Sequence, residues 1–397
     1  MSHAADTAST GAAGAPLTHT GLENLGQVLL RASGGEGGLV WLDDDGSAHS
    51  ESYLVLLDRS RRLLGGLNAA GVAQGDRLIM TVGNVGDTLA LLWACFLGGI
   101  IAVPMATPSV IEQGAPPLRK LQGVWSLLDR PTVVAGTDIA AALAAHGAAA
   151  GWDGFRVIAM DTLGQAEPAP DLPPVKPGDL AMMPLTSGST GMPKAAMLTH
   201  ANILAMVAGT IQANGFTADD VTLNWMPLDH PGANVFLGVM TAVLGGWQVH
   251  VPTPHILTDP LRWLALIDRY RASISWAPNF AFSLIGRSAD RLAEMDLDLS
   301  CMRFLVSAGE QVAAATSATF LELLERHGLP ETALRPAFGM AESCSGITWS
   351  PGLTRAELAG NPVHISLGPP IPGAEIRVTD DDGGVLADGQ IGHLELR

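Results

Sequence analysis

The chain has 397 residues, of which 47% are hydrophobic and 15% are charged, and its formal charge at pH 7 is −17. This length exceeds one compact core and predicts two or three packed units, while the apolar content excludes a disordered chain. The acidic balance would repel phosphate backbones and anionic lipid. It therefore argues against nucleic acid and membrane as partners, although a local loop can still bind a nucleotide.

The first residues, MSHAADTASTGAAGAPLTHT, lack the basic start and the apolar run of a secretory signal. We therefore expect residues 1–20 to form a flexible leader and the protein to be cytoplasmic. The cysteines Cys95, Cys301 and Cys344 are few, odd in number and without metal-ligand spacing. They fit a reducing compartment, and we expect them to be core thiols.

Two segments of the chain share one design. Residues 89–106, LALLWACFLGGIIAVPMA, are uncharged and long enough to suggest a membrane span. Gly98, Gly99 and Pro104 instead divide this segment into a helix and a short strand. Residues 236–252, FLGVMTAVLGGWQVHVP, repeat the order of apolar helix, Gly-Gly stop and strand. This repetition favours two similar α/β units over a transmembrane segment.

Helices are also predicted where apolar residues recur at helical spacing, at 52–70, 260–271 and 313–327. Strands that alternate with helices of this length are typical of parallel sheets covered by helices, so the predicted fold class is α/β. The proline-rich stretch 166–179 is expected to be a surface connection.

After about Cys344, the sequence pattern changes from alternating helices and strands to strands joined by turns. Strand-like residues at 375–378 and 391–397 flank an Asp/Gly turn, which predicts a small β-rich, barrel-like unit. We therefore divide the chain into the leader, paired parallel-sheet α/β subdomains at 21–345, and an incomplete β-rich subdomain at 346–397.

Residues 185–200, LTSGSTGMPKAAMLTH, follow a predicted strand at 180–185. Their first half is so dense in Gly, Ser and Thr that we expect an irregular loop. Its glycines let the backbone approach a ligand, its hydroxyls and N–H groups supply donors, and Lys194 supplies a point charge. These are the parts of a phosphate cradle, although neither a Walker loop nor a G-x-G-x-x-G motif is present. A polar surface turn is the alternative on composition alone.

The string TSGSTGMPK at 186–194 resembles the nucleotide-phosphate loop of the adenylate-forming superfamily, which includes acyl-CoA synthetases, fatty acyl-AMP ligases and peptide-synthetase adenylation domains. Other motifs of that family follow in order: MPLDH at 226–230, VSAGE at 306–310, FGMAE at 338–342 and DGQIGHL at 388–394. The resemblance runs from about residue 22 to the last residue. It is closest in appearance to the acid-activating loading domains of polyketide and peptide assembly lines.

The resemblance implies a role for each motif. The phosphate loop would wrap the triphosphate of ATP and the departing pyrophosphate through Thr186, Ser187, Gly188, Ser189, Thr190, Gly191 and Lys194. Glu342 would hold Mg²⁺, and Phe338 and the Gly309–Glu310 turn would enclose the adenine, with Gly339, Met340 and Ala341 beside them. Taken singly, Glu342 fits a helix start, and His230 and Phe338 fit a core. Their joint order along the chain favours a site, with Lys194, Glu342 and His230 as catalytic candidates.

Departures from the family pattern concern the nucleotide and the acid. Ala341 replaces a common Thr, as in fatty acyl-AMP ligases, and Phe338 replaces the usual Tyr. His230 lies where amino-acid adenylation domains have the Asp that meets the substrate's α-amine. Because a buried ammonium without a carboxylate partner is costly, a free α-amino acid is a poor candidate unless Asp229 turns inward. An aliphatic, aryl, hydroxy or keto acid fits better.

The candidate acid-binding residues are Asp229, His230, Trp225, Trp276, Ser307, Ala308 and Met340. Phe236 and Phe280 could add to an apolar acyl pocket, although aromatic residues in apolar runs are usually core.

The sequence therefore predicts an ATP- and Mg²⁺-dependent activator of a carboxylic acid that passes the acyl group from acyl-AMP to a carrier-protein phosphopantetheine. An acyl-CoA synthetase and a non-catalytic acyl or nucleotide binder are the alternatives. In the family, a mobile C-terminal lid supplies a lysine to the α-phosphate. None of the three lysines, Lys120, Lys176 and Lys194, follows the phosphate loop. We therefore expect the lid to be absent from these residues and the isolated chain to be nearly inactive.

Overall fold

Two large, mostly parallel β-sheets dominate the computed structural model, which describes residues 11–187 and 193–397. The first sheet has the strand order β11-β8-β5-β4-β6-β7, and only β11 is antiparallel to its neighbour. Its strands are β4 (Arg77–Thr81), β5 (Ile101–Pro104), β6 (Thr132–Ala135), β7 (Val157–Ala159), β8 (Leu180–Met182) and β11 (Leu198–Thr199).

The second sheet has the order β17-β16-β15-β14-β12-β13-β2-β3, and its two edge strands are antiparallel to their neighbours. Its strands are β2 (Gly38–Leu42), β3 (Ala48–Ser52), β12 (Val221–Asn224), β13 (Trp247–His250), β14 (Ile274–Ala277), β15 (Phe304–Ser307), β16 (Leu334–Gly339) and β17 (Gly346–Trp349). The α/β class and the parallel sheets are therefore confirmed. The predicted boundary at residue 346 stays a prediction, but β17 is an edge strand of this sheet.

The helices form three layers around the two sheets. They are α1 (Leu25–Ala32), α2 (Tyr53–Ala69), α3 (Val85–Gly98), α4 (Pro116–Leu127), α5 (Thr137–Ala149), α6 (Met160–Gly164), α7 (His200–Asn214), a π-helix (Gly232–Val239) that continues as α8 (Met240–Leu244), α9 (Thr253–Thr258), α10 (Leu261–Tyr270), α11 (Asn279–Gly286), α12 (Ala289–Ala293), α13 (Ala314–Glu325) and α14 (Arg355–Leu358). The helices predicted at 52–70, 260–271 and 313–327 are present as α2, α10 and α13.

A central layer of helices is shared by the two sheets. One core cluster joins residues of α1, α2, α3, α7 and the π-helix with one face of each sheet. A second cluster packs α10, α11 and α13 on the other face of the second sheet. A third packs α4 and α5 on the outer face of the first sheet. This alternation covers both faces of the inner strands, which is why most of those strands are apolar.

The apolar segment at 89–106 lies in the central layer. It forms the second half of α3, which ends at Gly98 with Gly99 in the left-handed conformation (φ +61°), and continues into β5. Among residues 11–187 and 193–397, no helix combines the length and hydropathy that crossing a bilayer requires. Cys95 and Cys344 are buried thiols and Cys301 is half-buried, and none of the three forms a disulfide.

A small antiparallel sheet contains β18 (Glu375–Thr379) and β19 (His393–Leu396), as the hairpin pattern predicts. Its third strand, β1 (Ala12–Ala13), comes from the predicted flexible leader. The leader prediction is therefore wrong for residues 11–20. Gly14 donates to Ala374 O, and the Gln212 amide bonds both Pro16 O and Thr18 N. These long-range bonds hold a segment whose composition alone gave no sign of them.

Candidate active site

A cleft opens at the carboxyl ends of β15 and β16, where ligands bind in open parallel sheets. We call it the Phe338 cleft. It has a volume of 390 Å³, and its lining consists of Gly309, Glu310, Gln311, Val312, Ala337, Phe338, Gly339, Val363, His364, Ile365 and Leu367. The structure thus brings together two motifs that the sequence analysis assigned to adenine. The loop at 363–367 was missed, because it carries no motif.

The Gly309–Glu310 turn is held by two reciprocal side-chain bonds. Gly309 has a φ of +86°, which a residue with a Cβ rarely adopts. The Glu310 carboxylate accepts the N–H of Phe280 at 2.6 Å, and the Asn279 side chain accepts the N–H of Ala313 at 3.0 Å. Glu310 therefore fixes the turn against the start of α11, and Phe280 is exposed beside it.

The predicted phosphate loop rises from a short hairpin. Strands β9 (Leu185–Ser187) and β10 (Pro193–Ala195) pair antiparallel, with Thr186 opposite Lys194. The first half of the segment at 185–200 is predicted to be irregular, and this is wrong where it begins, because Leu185–Ser187 form a strand. The predicted strand at 180–185 is also divided, because Pro184 has no N–H to continue the pairing of β8. Gly188, Ser189, Thr190 and Gly191 lie outside the described residues.

The FGMAE motif ends in a single 3₁₀ turn, Ala341–Ser343, that follows β16. The Ser343 hydroxyl accepts the Met340 N–H and lies within bonding distance of Met340 O, so it fixes the turn. Cys344 then adopts φ +66° and ψ −32°, a strained conformation for a residue with a side chain. Glu342 and Met340 are both exposed at this corner.

The described residues contain no group of three or more His, Cys, Asp or Glu side chains able to hold a metal ion. Glu342 therefore offers one exposed carboxylate rather than a cage. A single carboxylate fits Mg²⁺, which is usually held by one or two carboxylates together with substrate phosphates and waters.

His230 and Trp276 form the floor next to the Phe338 cleft. Their ring centroids are 4.8 Å apart, and a Cβ added at Gly232 or Gly309 would lie 2.1 or 3.5 Å from the Trp276 ring. Loss of surrounding water lowers the pKa of His230, and the nearby Asp229 carboxylate opposes this only in part. His230 Nδ1 accepts the Gly232 N–H at 3.0 Å, which favours the neutral ring.

The floor stands at the start of the π-helix. π-Helical segments are rare and occur frequently at functional sites. An apolar helix from Phe236 is predicted from the sequence, but its π geometry and its start at Gly232, where the backbone lies against Trp276, are not.

Other predicted acid-binding residues do not reach this floor. Trp225 is 1% exposed and packs against Trp263 in the core on the far face of the sheet. Phe236 is also core and stacks on Trp349 at 4.9 Å. Trp225 is therefore a structural residue.

Strand register separates two further candidates. Trp276 pairs with Val306 and Ala277 with Ser307, so the Trp276 and Ser307 side chains lie on opposite faces of the sheet. Ala308, which follows, is half-buried against the central core together with Phe338.

Asp229 faces a different space from His230. It lines a second cavity of 390 Å³, which we call the Asn224 cavity, between the carboxyl ends of the two large sheets. This cavity is bounded by Asp44, Met80, Val82, Gly83, Val85, Thr88, Pro104, Met105, Ala106, Thr107, Asn224, Met226, Pro227, Leu228, Asp229, His250, Val251, Pro252, Thr253 and Pro254.

The chain belongs to the AMP-binding enzyme family, whose profile matches residues 38–397. Its resemblance to the adenylate-forming superfamily is thereby confirmed. Among curated relatives, atromentin synthetase nps3 of Serpula lacrymans var. lacrymans is 29% identical over 370 residues, covering 89% of this chain and 37% of the relative. Nonribosomal peptide synthetase acyN of Ascocoryne sarcoides is 35% identical over 222 residues, covering 55% of this chain and 24% of the relative.

Solved structures agree with this assignment. McyG A-PCP complexed with phenylalanyl-adenylate is 43% identical, with a TM-score of 0.95, over 98% of this chain and 61% of that one. The adenylation domain of a keto acid-selecting NRPS module bound to keto acyl adenylate is 31% identical, with a TM-score of 0.92, over 97% of this chain and 77% of that one. Fatty acyl-adenylate ligases from E. coli and L. pneumophila, at 22% identity and a TM-score of 0.86, share the fold.

The chain spans between about a quarter and about two fifths of the length of the curated relatives it matches.

Proposed function

We propose that this chain activates a carboxylic acid without a free α-amine, using ATP to form acyl-AMP and pyrophosphate. The acyl group then passes to the phosphopantetheine thiol of a carrier protein. The observation that carries the proposal is the Gly309 turn, which lines the Phe338 cleft and also lies against Trp276. A nucleotide in the cleft and an acid on the His230–Trp276 floor would therefore meet at one turn.

The reaction joins a carboxylate oxygen to the α-phosphorus and breaks the bond to the β-phosphate, so that pyrophosphate leaves. The residues of this chain contribute positioning and charge. Phe338 and the Gly309–Glu310 turn hold the base, and Lys194 on its hairpin strand offers a cation to the leaving phosphates. Glu342 would hold Mg²⁺, which neutralises charge on the phosphates.

The preference for an acid without an amine rests on the two neighbouring residues of the MPLDH motif. A substrate ammonium on the floor would meet the His230 ring, whose Nδ1 accepts the Gly232 N–H and whose pKa is lowered by loss of surrounding water, so that the neutral form is favoured. Asp229 lines the Asn224 cavity, although its charge still acts on His230. An unpaired buried ammonium is strongly disfavoured. Among the solved structures, one binds a keto acyl adenylate and another phenylalanyl-adenylate, so both classes of ligand must be compared.

Stable sulfamoyl analogues of the adenylate test this preference without requiring turnover. We expect the 3-phenylpropanoyl analogue to bind at least about tenfold more tightly than the phenylalanyl analogue in calorimetric titration, because only the latter leaves an unpaired charge. In the matched variant His230→Asp the order should reverse. Tighter binding of the phenylalanyl analogue by the unchanged chain would contradict the proposed substrate class.

Turnover and acceptor require separate assays. Pyrophosphate exchange with a panel of acids distinguishes an enzyme from a non-catalytic binder. Acyl transfer to a carrier protein, compared with transfer to CoA, then distinguishes the proposed reaction from that of an acyl-CoA synthetase. Transfer to CoA alone would favour the latter.

A further inference from the structure

Side chains hydrogen-bond to the backbone of the loop that precedes the π-helix and ends at His230. Asn224 clamps Met226 through both groups of its amide: Oδ1 accepts the Met226 N–H at 3.0 Å, and Nδ2 donates to Met226 O at 3.1 Å. The Thr253 hydroxyl donates to Trp225 O at 2.8 Å, and the Asn234 amide donates to Leu228 O. This loop ends at His230, so its position determines where the floor residue stands.

The Asn224 clamp is one end of a buried chain of polar side chains, which we call the relay. Asn224 Nδ2 donates to His250 Nδ1 at 3.3 Å, His250 Nε2 donates to Gln248 Oε1 at 2.7 Å, and Gln248 Nε2 donates to the Tyr53 hydroxyl oxygen at 2.8 Å. All four side chains are at most 1% exposed. The relay thus connects the first residue of α2 to the loop through strands β13 and β12.

The hydrogen bonds allow only one arrangement of the relay. Asn224 uses both amide protons and its oxygen, which fixes the orientation of the amide. The ring of His250 must then carry its proton on Nε2, facing Gln248 Oε1. Burial lowers the pKa of His250 to about 3, so the ring stays neutral. A buried network whose bonds have one possible direction is rigid and specifies one geometry.

Met226 and Leu228 pack against the core on one side of the loop, and a cavity lies on its other side. Met226, Pro227, Leu228 and Asp229 all line the Asn224 cavity, whose walls also include Asn224 and His250. An open space behind the loop leaves hydrogen bonds as its main constraint on that side. On this side of the loop, the hydrogen bonds of the relay therefore provide the constraint that side-chain packing provides elsewhere in the core.

We propose that the relay Tyr53–Gln248–His250–Asn224 is a positioning device that holds the Met226–His230 loop in register with the acyl group. The inference rests on the proposed function, since it assumes that His230 faces an acid. Its members are positioning residues. A disturbance at Tyr53, 195 residues from Gln248 in sequence, should reach the acyl side of the site and leave the nucleotide side unchanged.

The test compares two probes: AMP, and the tightest binder among the acetyl, hexanoyl, benzoyl and 3-phenylpropanoyl sulfamoyl adenosines. Asn224→Ala removes the clamp, and Tyr53→Phe removes one hydroxyl at the far end. We expect the acyl analogue to bind about tenfold more weakly to Asn224→Ala and about threefold more weakly to Tyr53→Phe, as lost buried hydrogen bonds imply. AMP affinity should stay within about twofold in both variants, because no residue of the loop lines the Phe338 cleft proposed for the nucleotide.

Ser273→Ala is the matched control. Its hydroxyl donates to the buried Asp220 at 2.8 Å, but it lies at the amino ends of the strands of the same sheet. The control should lose stability without changing either affinity. If Asn224→Ala does not fold, Tyr53→Phe decides, because it retains the ring that fills the core.

Parallel losses of AMP and acyl affinity in the relay variants would overturn the proposal and leave the relay a purely structural role. Unchanged acyl affinity in folded variants would overturn it as well. If the unchanged chain binds AMP but no acyl analogue more tightly than AMP, the loop does not contact an acyl group and the inference falls. Failure to bind AMP at all would instead refute the proposed function itself.

Discussion

Lys194 stands on a hairpin strand directly opposite Thr186, and its side chain is exposed. An exposed lysine on a two-stranded hairpin contributes little to the free energy of unfolding. Lys194 lies on the strand that follows the glycine-rich loop, and this strand fixes the point from which its side chain extends. The residue is therefore suited to phosphate contact rather than to the stability of the fold.

Lys194→Ala should weaken ATP binding by about tenfold or more, because a charge-assisted contact to the β- and γ-phosphates is lost. AMP, which lacks those phosphates, should bind almost unchanged. Calorimetric titration of both nucleotides measures the difference, and the urea midpoint should not move. Lys176→Ala, on the surface connection, is the control. Equal losses for ATP and AMP would contradict the assignment of Lys194 to the leaving phosphates.

At the scale of elements, the π-helix packs directly on the indole of Trp276 at Gly232. The helix begins within two residues of His230, whose carbonyl accepts the N–H groups of Ala233 and Asn234. Gly232 permits the helix backbone to lie directly on the indole ring, where no side chain fits. The geometry of the floor therefore depends on the absence of one methyl group.

Gly232→Ala should lower the free energy of unfolding by about 1 to 3 kcal/mol, the range for overpacking a core. The indole lies in the central core cluster and has little room to move away from the added methyl. Chemical denaturation measures the loss, and affinity for an acyl sulfamoyl adenosine should fall with it. Gly286→Ala, whose Cβ would meet Thr319 at an ordinary 3.6 Å, should cost little. If Gly232→Ala leaves the free energy of unfolding unchanged, the indole is not held in place.

At the scale of the whole molecule, the central helix layer contains a buried histidine between two helices. His200 begins α7, and its Nδ1 accepts the N–H of Leu25 at the start of α1 at 3.1 Å. Burial lowers the pKa of His200 to about 4, and the Asp179 charge opposes this only in part. His250, in the second sheet, has its pKa lowered to about 3 by burial alone.

Because of these two histidines, we expect the folded chain to lose stability as the pH falls from 6.5 to about 4. A folded-state pKa below the unfolded value means that the unfolded chain binds more protons, so stability falls as the pH falls through this window. Each histidine should lower the free energy of unfolding at pH 5 by about 2 kcal/mol relative to pH 7. Asp259, whose pKa is lowered by Arg291, loses its contribution only at more acidic pH.

Urea unfolding at pH 7, 6 and 5 measures this dependence. His200→Gln should flatten the slope by removing one proton-binding group whose pKa is lowered by burial. Stability that is constant from pH 7 to pH 5 would contradict the burial of these rings.

The elements of this fold could be predicted where their information is local. The apolar run that ends in Gly98-Gly99 gave α3 and β5, because helical periodicity, a left-handed glycine stop and an apolar strand are properties of neighbouring residues. Two of the motif strings, VSAGE and FGMAE, contribute residues to the lining of the Phe338 cleft, and each is a short segment with its own turn chemistry. Family membership followed from the order of these segments in the chain.

Only the tertiary structure decided which side chains share the site. Trp225 and Trp276 both belong to apolar runs near strand ends, yet one is core on the far face and the other is the floor. Asp229 and His230 are adjacent in sequence but face different spaces. The relay joins Tyr53 to strands β12 and β13, and β1 pairs with β18 across almost the whole chain. Strand register, helix packing and such long-range bonds depend on residues far apart in sequence, and no local pattern records which distant segment will become the partner.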